Sequence, residues 1–221
     1  MKLLALETAN EQCSVSLIDE HQTLYFQRDD RAKAQTQTIL PMIEQGLNQA
    51  EILVSDLTAI AFSRGPGSFS GVRINAAVTQ ALAWSNDLPV IPVSTLQALA
   101  QAAYRELKLE KVTAVLDARM NEVYIASYQL DDQYIMQAVD EEQLLSYSDA
   151  QTYQKFTLIG SGSALVDPNA VEHLKITASA EDIASIARTQ ALEEKWVSAE
   201  YALPVYLRDN AWKKIPEQGK S

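Results

Sequence analysis

The sequence predicts an α/β protein with two similar lobes, and three observations lead to this expectation. Short apolar and alternating runs precede stretches of helical spacing in the first hundred residues. A comparable series begins at Lys111. A glycine-rich segment at 64–73 lies between a buried run and a helical stretch, as in folds that handle nucleotides. We expect lobes at 1–100 and 101–221 that pack closely, with a C-terminal tail that can return to the first lobe.

The first hundred residues predict the element order βββαβαβα. We expect strands at 2–8, 13–19, 22–27, 56–63 and 89–93, and helices at 35–50, 71–84 and 94–107. Pro41 is expected in the first turn of its helix, where a missing amide hydrogen costs little. Ser94 is expected to cap the third helix, with Gln97 as its capping-box partner. Antiparallel strands followed by crossovers through helices indicate a mixed sheet.

The second half repeats this arrangement in outline. We expect strands at 112–116, 122–130, 133–138 and 156–159, and helices at 141–145 and 180–195. A tight turn is expected at 117–121, between the first two of these strands. The last of them leads into the glycine pair of Gly160 and Gly162, which we expect to shape a loop.

The chain is strongly acidic, with a formal net charge of -11 and a pI near 4.6. Because nucleic-acid affinity depends largely on Lys and Arg that neutralise phosphates, this balance disfavours direct binding to a phosphate backbone. Any role in RNA chemistry would therefore run through a partner, although acidity also simply keeps a protein soluble. The apolar run at the N-terminus is too short for a signal peptide, and no run approaches the ~18–20 apolar residues of a membrane span. We expect a cytoplasmic location.

The glycine-rich segment is the first candidate site. Its residues are Arg64, Gly65, Pro66, Gly67, Ser68, Phe69, Ser70, Gly71, Val72 and Arg73. A helix N-terminus attracts anions, and the two arginines could bind phosphate. Alternatively, the glycines shape a tight turn while the arginines bind carboxylates or carbonyls. The segment is not a P-loop, since no Lys-Ser/Thr follows the last glycine.

The first hairpin carries a second candidate, at Glu7 and Thr8. In sugar-kinase-like and actin-like ATPases, an acid and a small residue in this hairpin meet metal and phosphate. Here no glycine occurs between Thr8 and Cys13, so close approach of the backbone to a phosphate is doubtful. A structural turn is the alternative.

Other catalytic patterns are weak. Cys13 is the only cysteine, and its alternating context predicts a buried strand position rather than a catalytic thiol. The two histidines, His21 and His173, have no metal-binding spacing. Ser161 lacks the spacing of a nucleophile elbow. Asp117 and Glu122 could form a carboxylate pair, but turn capping and surface solvation explain them better.

Segments that carry a family resemblance occur along nearly the whole chain. They are Leu4-Ala5-Leu6-Glu7-Thr8-Ala9 with Cys13-Ser14-Val15, the loop at 64–73, Asp117-Ala118-Arg119-Met120-Asn121-Glu122-Val123-Tyr124, and Pro204-Val205-Tyr206-Leu207-Arg208 with Ala211-Trp212-Lys213-Lys214. Together they resemble the bacterial TsaB family, also called YeaZ. The resemblance implies a two-lobed actin-like, sugar-kinase-like (ASKHA) α/β fold with mixed sheets flanked by helices.

The resemblance also implies a function. It implies a non-catalytic scaffold that binds and stabilises TsaD, which adds a threonylcarbamoyl group to an adenosine beside the tRNA anticodon. The ATPase TsaE joins the assembly, self-pairing into a homodimer is also implied, and tRNA is contacted mainly through the partners. It implies neither a catalytic residue nor a metal in this chain, and leaves ATP or ADP at an interface open. An active ATPase or kinase of the same fold, or a peptidase, is the alternative.

The implied partner contact is a helix bundle formed by the helices at 35–50 and 71–84. Its expected side chains are Ile39, Leu40, Ile43, Leu47, Ile74, Ala77, Val78 and Ala81. From the spacing alone, each apolar stripe could equally cover only its own sheet, because both uses give the same periodicity.

Overall fold

Ten strands in two mixed sheets form the frame of the part of the chain that a computed structural model describes, residues 1–31 and 34–208. The segment Ala211–Lys214, used above for the family resemblance, lies outside these residues. The predicted α/β fold with mixed sheets is confirmed: each sheet combines antiparallel and parallel strands, and helices flank both.

The first sheet follows the predicted order βββαβαβα. Its elements are β1 (Lys2–Glu7), β2 (Cys13–Asp19), β3 (Thr23–Asp29), α1 (Gln35–Gln49), β4 (Ala59–Gly65), α2 (Phe69–Ser85), β5 (Val90–Ser94) and α3 (Thr95–Leu107). The strands lie in the order β3-β2-β1-β4-β5. β1, β2 and β3 are antiparallel, whereas β4 runs parallel to β1 and β5 parallel to β4. Because β1 and β4 are parallel neighbours, the loop after β4 lies beside the turn after β1.

The second sheet begins with a long hairpin. Its elements are β6 (Lys111–Arg119), β7 (Glu122–Leu130), β8 (Met136–Ala138), β9 (Gln143–Ser146), α4 (Tyr147–Tyr153), β10 (Thr157–Ile159), α5 (Ser163–Val166) and α6 (Ala180–Leu192). The order is β10-β6-β7-β8, and β9 pairs with β7. Short 3-10 helices occur at Val54–Asp56 and Ala199–Tyr201. No described helix has the length and apolar character to cross a bilayer.

Two helices, α3 and α6, join the sheets through a shared core. α6 packs against the first sheet, and α3 packs against both α6 and the second sheet. The alternation of β1 divides its side chains between two faces. Leu3 and Ala5 belong to the core with α3 and α6, whereas Leu4 and Leu6 belong to the core under α1. A helix from the second half of the chain thus covers one face of the first sheet, while α1 and α2 cover the other.

Three local predictions were wrong. Pro41 is not in the first turn of α1 but seven residues into it, on the solvent side, where water can satisfy the carbonyl of Gln37. The region 141–145 is not helical, since β9 pairs there with β7 and the helix begins only at Tyr147. Ser94 does cap α3, but the side-chain amide of Gln97 donates to the Met136 carbonyl at 2.9 Å instead of completing a capping box.

Candidate functional site

A cleft of about 770 Å³ opens between the two sheets and is lined by parts of the four segments that carry the family resemblance. Its walls come from the turn after β1, the loop and first turn of α2, the turn between β6 and β7, and the C-terminal segment that ends at Arg208. The lining includes Ala9, Gly67, Ser68, Arg73, Asp117, Arg119, Tyr124, Tyr206 and Arg208. Its volume is typical of small-molecule sites.

The glycine loop is packed directly on the first hairpin. The Ser68 amide donates to the Ala9 carbonyl at 2.8 Å, and the Thr8 hydroxyl donates to the Gly71 carbonyl at 2.8 Å. A Cβ at Gly71 would lie 2.0 Å from the Thr8 carbonyl oxygen, and one at Gly67 would lie 2.6 Å from the Ala9 oxygen. The clustered glycines therefore allow two backbone segments to touch.

The start of α2 is fixed by its own side chains. Ser68 is the N-cap, and its hydroxyl accepts from the Gly71 amide at 3.1 Å, so the helix begins two residues before the predicted Gly71. Further along, the buried amide of Asn75 donates to the carbonyls of Leu6 and Ser63, each at 3.1 Å. These contacts tie α2 to β1 and β4, and so they set the position of its exposed face.

The two arginines of the loop are engaged within the chain. Arg64 pairs with Glu142 at 3.2 Å across the sheets. Arg73 donates to the Phe69 carbonyl at 2.9 Å, and its guanidinium lies 3.4 Å from the centre of the Phe69 ring and 5.1 Å from that of Tyr206. Of the two interpretations of this loop, the contacts favour the one in which the arginines bind a carboxylate and a carbonyl.

The corner at Glu7 does not fit the phosphates and metal of a nucleotide. The buried Glu7 carboxyl turns back on its own hairpin, where Oε1 accepts from the amides of Ala9 at 2.6 Å and Asn10 at 3.2 Å. The Ala9 carbonyl accepts from the Ser68 amide at 2.8 Å, so the amide at the start of α2 is already engaged within the chain. Among residues 1–31 and 34–208, no group of three His, Cys, Asp or Glu residues is placed to hold a metal ion.

Burial raises the pKa of Glu7 to about 7, against the opposing hydrogen bonds from Ser63, Ala9 and Asn10. Because the folded state holds this proton more tightly than the unfolded chain, the stabilisation it provides is complete below pH 4.5 and is lost as the pH rises to about 7. The difference corresponds to about 3 kcal/mol.

We therefore expect Glu7→Gln, which stays neutral at every pH, to flatten the dependence of unfolding free energy on pH between about 4.5 and 7. Urea unfolding at several pH values measures this, with Glu11→Gln as the control because Glu11 is an exposed neighbour. Parallel curves for wild type and Glu7→Gln would show that folding does not raise the pKa of Glu7.

Cys13 is placed as a core residue rather than as a nucleophile. Its side chain is buried, its sulfur lies 3.9 Å from that of Met42, and burial raises the pKa of the thiol to about 11. The thiolate is therefore scarce near neutral pH. His21 and His173 are both absent from the described residues that line the cleft.

The turn between β6 and β7 holds two separate acid–arginine pairs. Asp117 accepts from the Arg119 amide at 2.8 Å and pairs with its guanidinium at 3.0 Å. Glu122 pairs with Arg208 at 2.6 Å, and Arg208 also donates to the Ala118 carbonyl at 3.1 Å. Each carboxylate thus has its own arginine, and Asp117 and Glu122 do not form a carboxylate pair. The sequence analysis did not predict that Arg208 binds this turn. The signal available was that Arg208 and the turn both belong to motifs that carry the family resemblance.

The side chains predicted to contact a partner differ in their exposure to solvent. Ile39 and Ile43 are buried in the core under α1, so these two predicted contact residues do not reach the surface. Leu40, Ala77 and Ala81 are exposed, and the remaining predicted residues are half-buried: Leu47, Ile74 and Val78. Sequence reasoning missed Trp84, which is exposed and lies one turn beyond Ala81 on the same face of α2.

Curated relatives match this chain over its full length. It is 38% identical to the tRNA threonylcarbamoyladenosine biosynthesis protein TsaB of Escherichia coli strain K12, over 98% of this chain and 99% of that protein. The TsaB protein of Haemophilus influenzae is 35% identical, with 98% of each chain covered. By contrast, a tRNA N6-adenosine threonylcarbamoyltransferase of Streptococcus equi subsp. zooepidemicus is 36% identical over only 34% of this chain and 22% of the transferase.

Solved structures agree with these relatives. A protein of Pseudomonas aeruginosa described as similar to peptidase YEAZ superposes with a TM-score of 0.85 at 37% identity, covering 94% of this chain and 99% of that one. YeaZ from Pseudomonas aeruginosa superposes with a TM-score of 0.82 at 37% identity, covering 93% and 99%.

The family model that matches is described as TsaD: tRNA N6-adenosine threonylcarbamoyltransferase, and it covers residues 29–214. The match covers most of the chain, from the end of β3 onward. The full-length identities, however, are to TsaB proteins. The chain therefore belongs to the TsaB family, also called YeaZ, within the wider group that the TsaD model describes.

Proposed function

We propose that this chain takes part in tRNA threonylcarbamoyladenosine biosynthesis as a non-catalytic subunit that binds and stabilises TsaD. The observation that carries the proposal is the uncharged face of α2, where Ala77, Ala81 and Trp84 are exposed in a chain with a net charge of -11. Exposed apolar surface of this kind is typical of protein–protein contacts. Leu40 on the adjacent α1 extends it.

The geometry of the cleft supports a non-catalytic role. The corner where related ATPases hold metal and phosphate is filled by the contact between Ala9 and the glycine loop, and Glu7 hydrogen-bonds to its own turn. The threonylcarbamoyl transfer would then belong to TsaD. The net negative charge of this chain also supports the assignment of the transfer step to TsaD, because an acidic surface attracts tRNA phosphates poorly. TsaE would join the resulting pair, and self-pairing through the same helices would compete with it.

We expect Ala77→Glu and Leu40→Glu to weaken TsaD binding while leaving the lobe folded. Each substitution places a charge on the proposed contact, where an unpaired buried charge costs several kcal/mol. A loss of about 3 kcal/mol corresponds to a dissociation constant raised by roughly a hundredfold. Calorimetric titration with TsaD measures the affinity, and circular dichroism checks the fold.

Val171→Glu is the matched control, since Val171 is also an exposed apolar residue but lies outside α1 and α2. If folded Ala77→Glu and Leu40→Glu variants bound TsaD as tightly as the control, the contact would lie elsewhere on the molecule.

A further inference from the structure

The segment from Ala199 to Arg208, which we call the strap, runs across three parts of the molecule. At its start, the side-chain amide of Gln80 on α2 donates to the Ala199 carbonyl at 3.2 Å. In its middle, the Val205 amide donates to the Arg64 carbonyl at 2.8 Å. At its end, Arg208 reaches the turn between β6 and β7. The strap is therefore attached to the rest of the protein at its start, in its middle and at its end.

The strap presents apolar side chains to solvent. Tyr201 is 61% exposed, Leu203 is 56% exposed and Tyr206 is 49% exposed. The stretch 201–207 contains no charged residue, although the chain carries a net charge of -11. Contiguous exposed apolar surface is uncommon on monomers and marks contact sites. The strap thus has the composition of an interface although its backbone is tied to the body of the protein.

The strap lies along the exposed face of α2. Gln80, which holds the start of the strap, is one turn from both Ala77 and Trp84 on the helix. Arg73, one turn before Ala77, is the only charged residue of α2 and lies between the rings of Phe69 and Tyr206. The guanidinium therefore connects the strap to the helix. Apart from this guanidinium, the stretch 201–207 and the face of α2 that carries Ala77, Ala81 and Trp84 present an uncharged, largely apolar surface.

We propose that the strap is the outer part of the surface that receives a partner of the same fold, namely the transferase subunit of the proposed function, on which this inference rests. The TsaD model covers α1, α2 and the strap region, so such a partner has its own version of the helix pair. Two helix pairs that face each other leave the strap at the edge of the contact. A second copy of this chain competes for the same helices, and the test below distinguishes it from the transferase.

The test compares three folded variants in calorimetric titrations with TsaD. Leu203→Glu changes the strap, Ala77→Glu changes the helix face, and Val171→Glu is the control, since Val171 at 59% is as exposed as Leu203 at 56%. We expect Leu203→Glu to raise the dissociation constant at least about tenfold and Val171→Glu to leave it unchanged. If Leu203→Glu fails to fold, the milder Tyr201→Ser provides the same test, with a smaller rise expected.

The other outcomes separate the strap from the proposed function. If Ala77→Glu abolishes binding and the strap variants bind as tightly as wild type, the strap inference is overturned and the helix contact stands. If all variants bind normally, both are overturned. If the strap variants change only self-association, as measured by analytical ultracentrifugation, the occupant is a second copy and the inference is again overturned.

Discussion

Gly71→Val is expected to destabilise the first lobe by about 3 kcal/mol or more, since overpacking a site that cannot relax costs 1–3 kcal/mol and occasionally more. A Cβ at this position would lie 2.0 Å from the Thr8 carbonyl oxygen and 2.5 Å from the Ser68 hydroxyl. The first neighbour is backbone of the central hairpin, so it cannot move aside as a flexible side chain would. The Thr8–Gly71 hydrogen bond and the cap of α2 would be lost together.

Urea unfolding followed by circular dichroism measures the effect. Ser70→Ala is the control, because Ser70 is the exposed neighbour in the same helical turn. A Gly71→Val protein whose unfolding free energy stayed within about 0.5 kcal/mol of wild type would mean that the loop is not packed on the hairpin in this way.

Arg105→Ala is expected to cost about 3 kcal/mol, the lower end of the range for a buried charge that loses its partner, because Asp182 is buried whereas Arg105 is partly exposed. Arg105 on α3 donates from Nε to Asp182 Oδ1 at 2.9 Å, and from Nη2 to Oδ2 at 3.2 Å. Asp182 on α6 is buried, and burial raises the pKa of its carboxyl while Arg105 opposes that shift. Without the guanidinium, the carboxylate keeps only the Ser179 amide and hydroxyl as donors.

The raised pKa of Asp182 adds a second expectation. Protonation would remove the charge of the buried, unpaired carboxyl. The Arg105→Ala protein should therefore recover part of its lost unfolding free energy as the pH falls. Glu106→Ala is the control, since Glu106 pairs with the same arginine at 3.1 Å but is exposed, and such pairs contribute about 0–1 kcal/mol. If the two variants lost the same unfolding free energy, the Arg105–Asp182 pair would not be the contact that stabilises the packing of α3 on α6.

The element order was predictable because it depends on local patterns. The alternation in β2 separates the apolar side chains packed under α1 from the serines of the opposite face, which is also buried, and the four-residue spacing in α1 corresponds to one buried face. Both elements occur where the sequence predicted them. The failure at 141–145 has a different origin. That stretch becomes β9 because β7 offers it an edge to pair with, and pairing between distant segments leaves no local signal.

The candidate site was predictable only in part. The clustering of Gly65, Gly67 and Gly71 indicated a close approach of the backbone, but not that the approaching group is the first hairpin itself. Likewise, helical spacing in α1 could not tell which side faces the sheet. Ile39 turned out to be buried and Leu40 exposed, because the stripe is wider than the area that the sheet covers.

Reconstitution of tRNA threonylcarbamoylation is the most direct test of the proposed role. The assay combines TsaD, TsaE, tRNA and the activated threonylcarbamoyl donor, with this chain added as wild type, as Ala77→Glu, or omitted. If the chain is a non-catalytic subunit that acts by binding TsaD, wild type restores product formation, whereas Ala77→Glu and omission do not. Full product formation without the chain, or turnover by the chain in the absence of TsaD, would contradict that role.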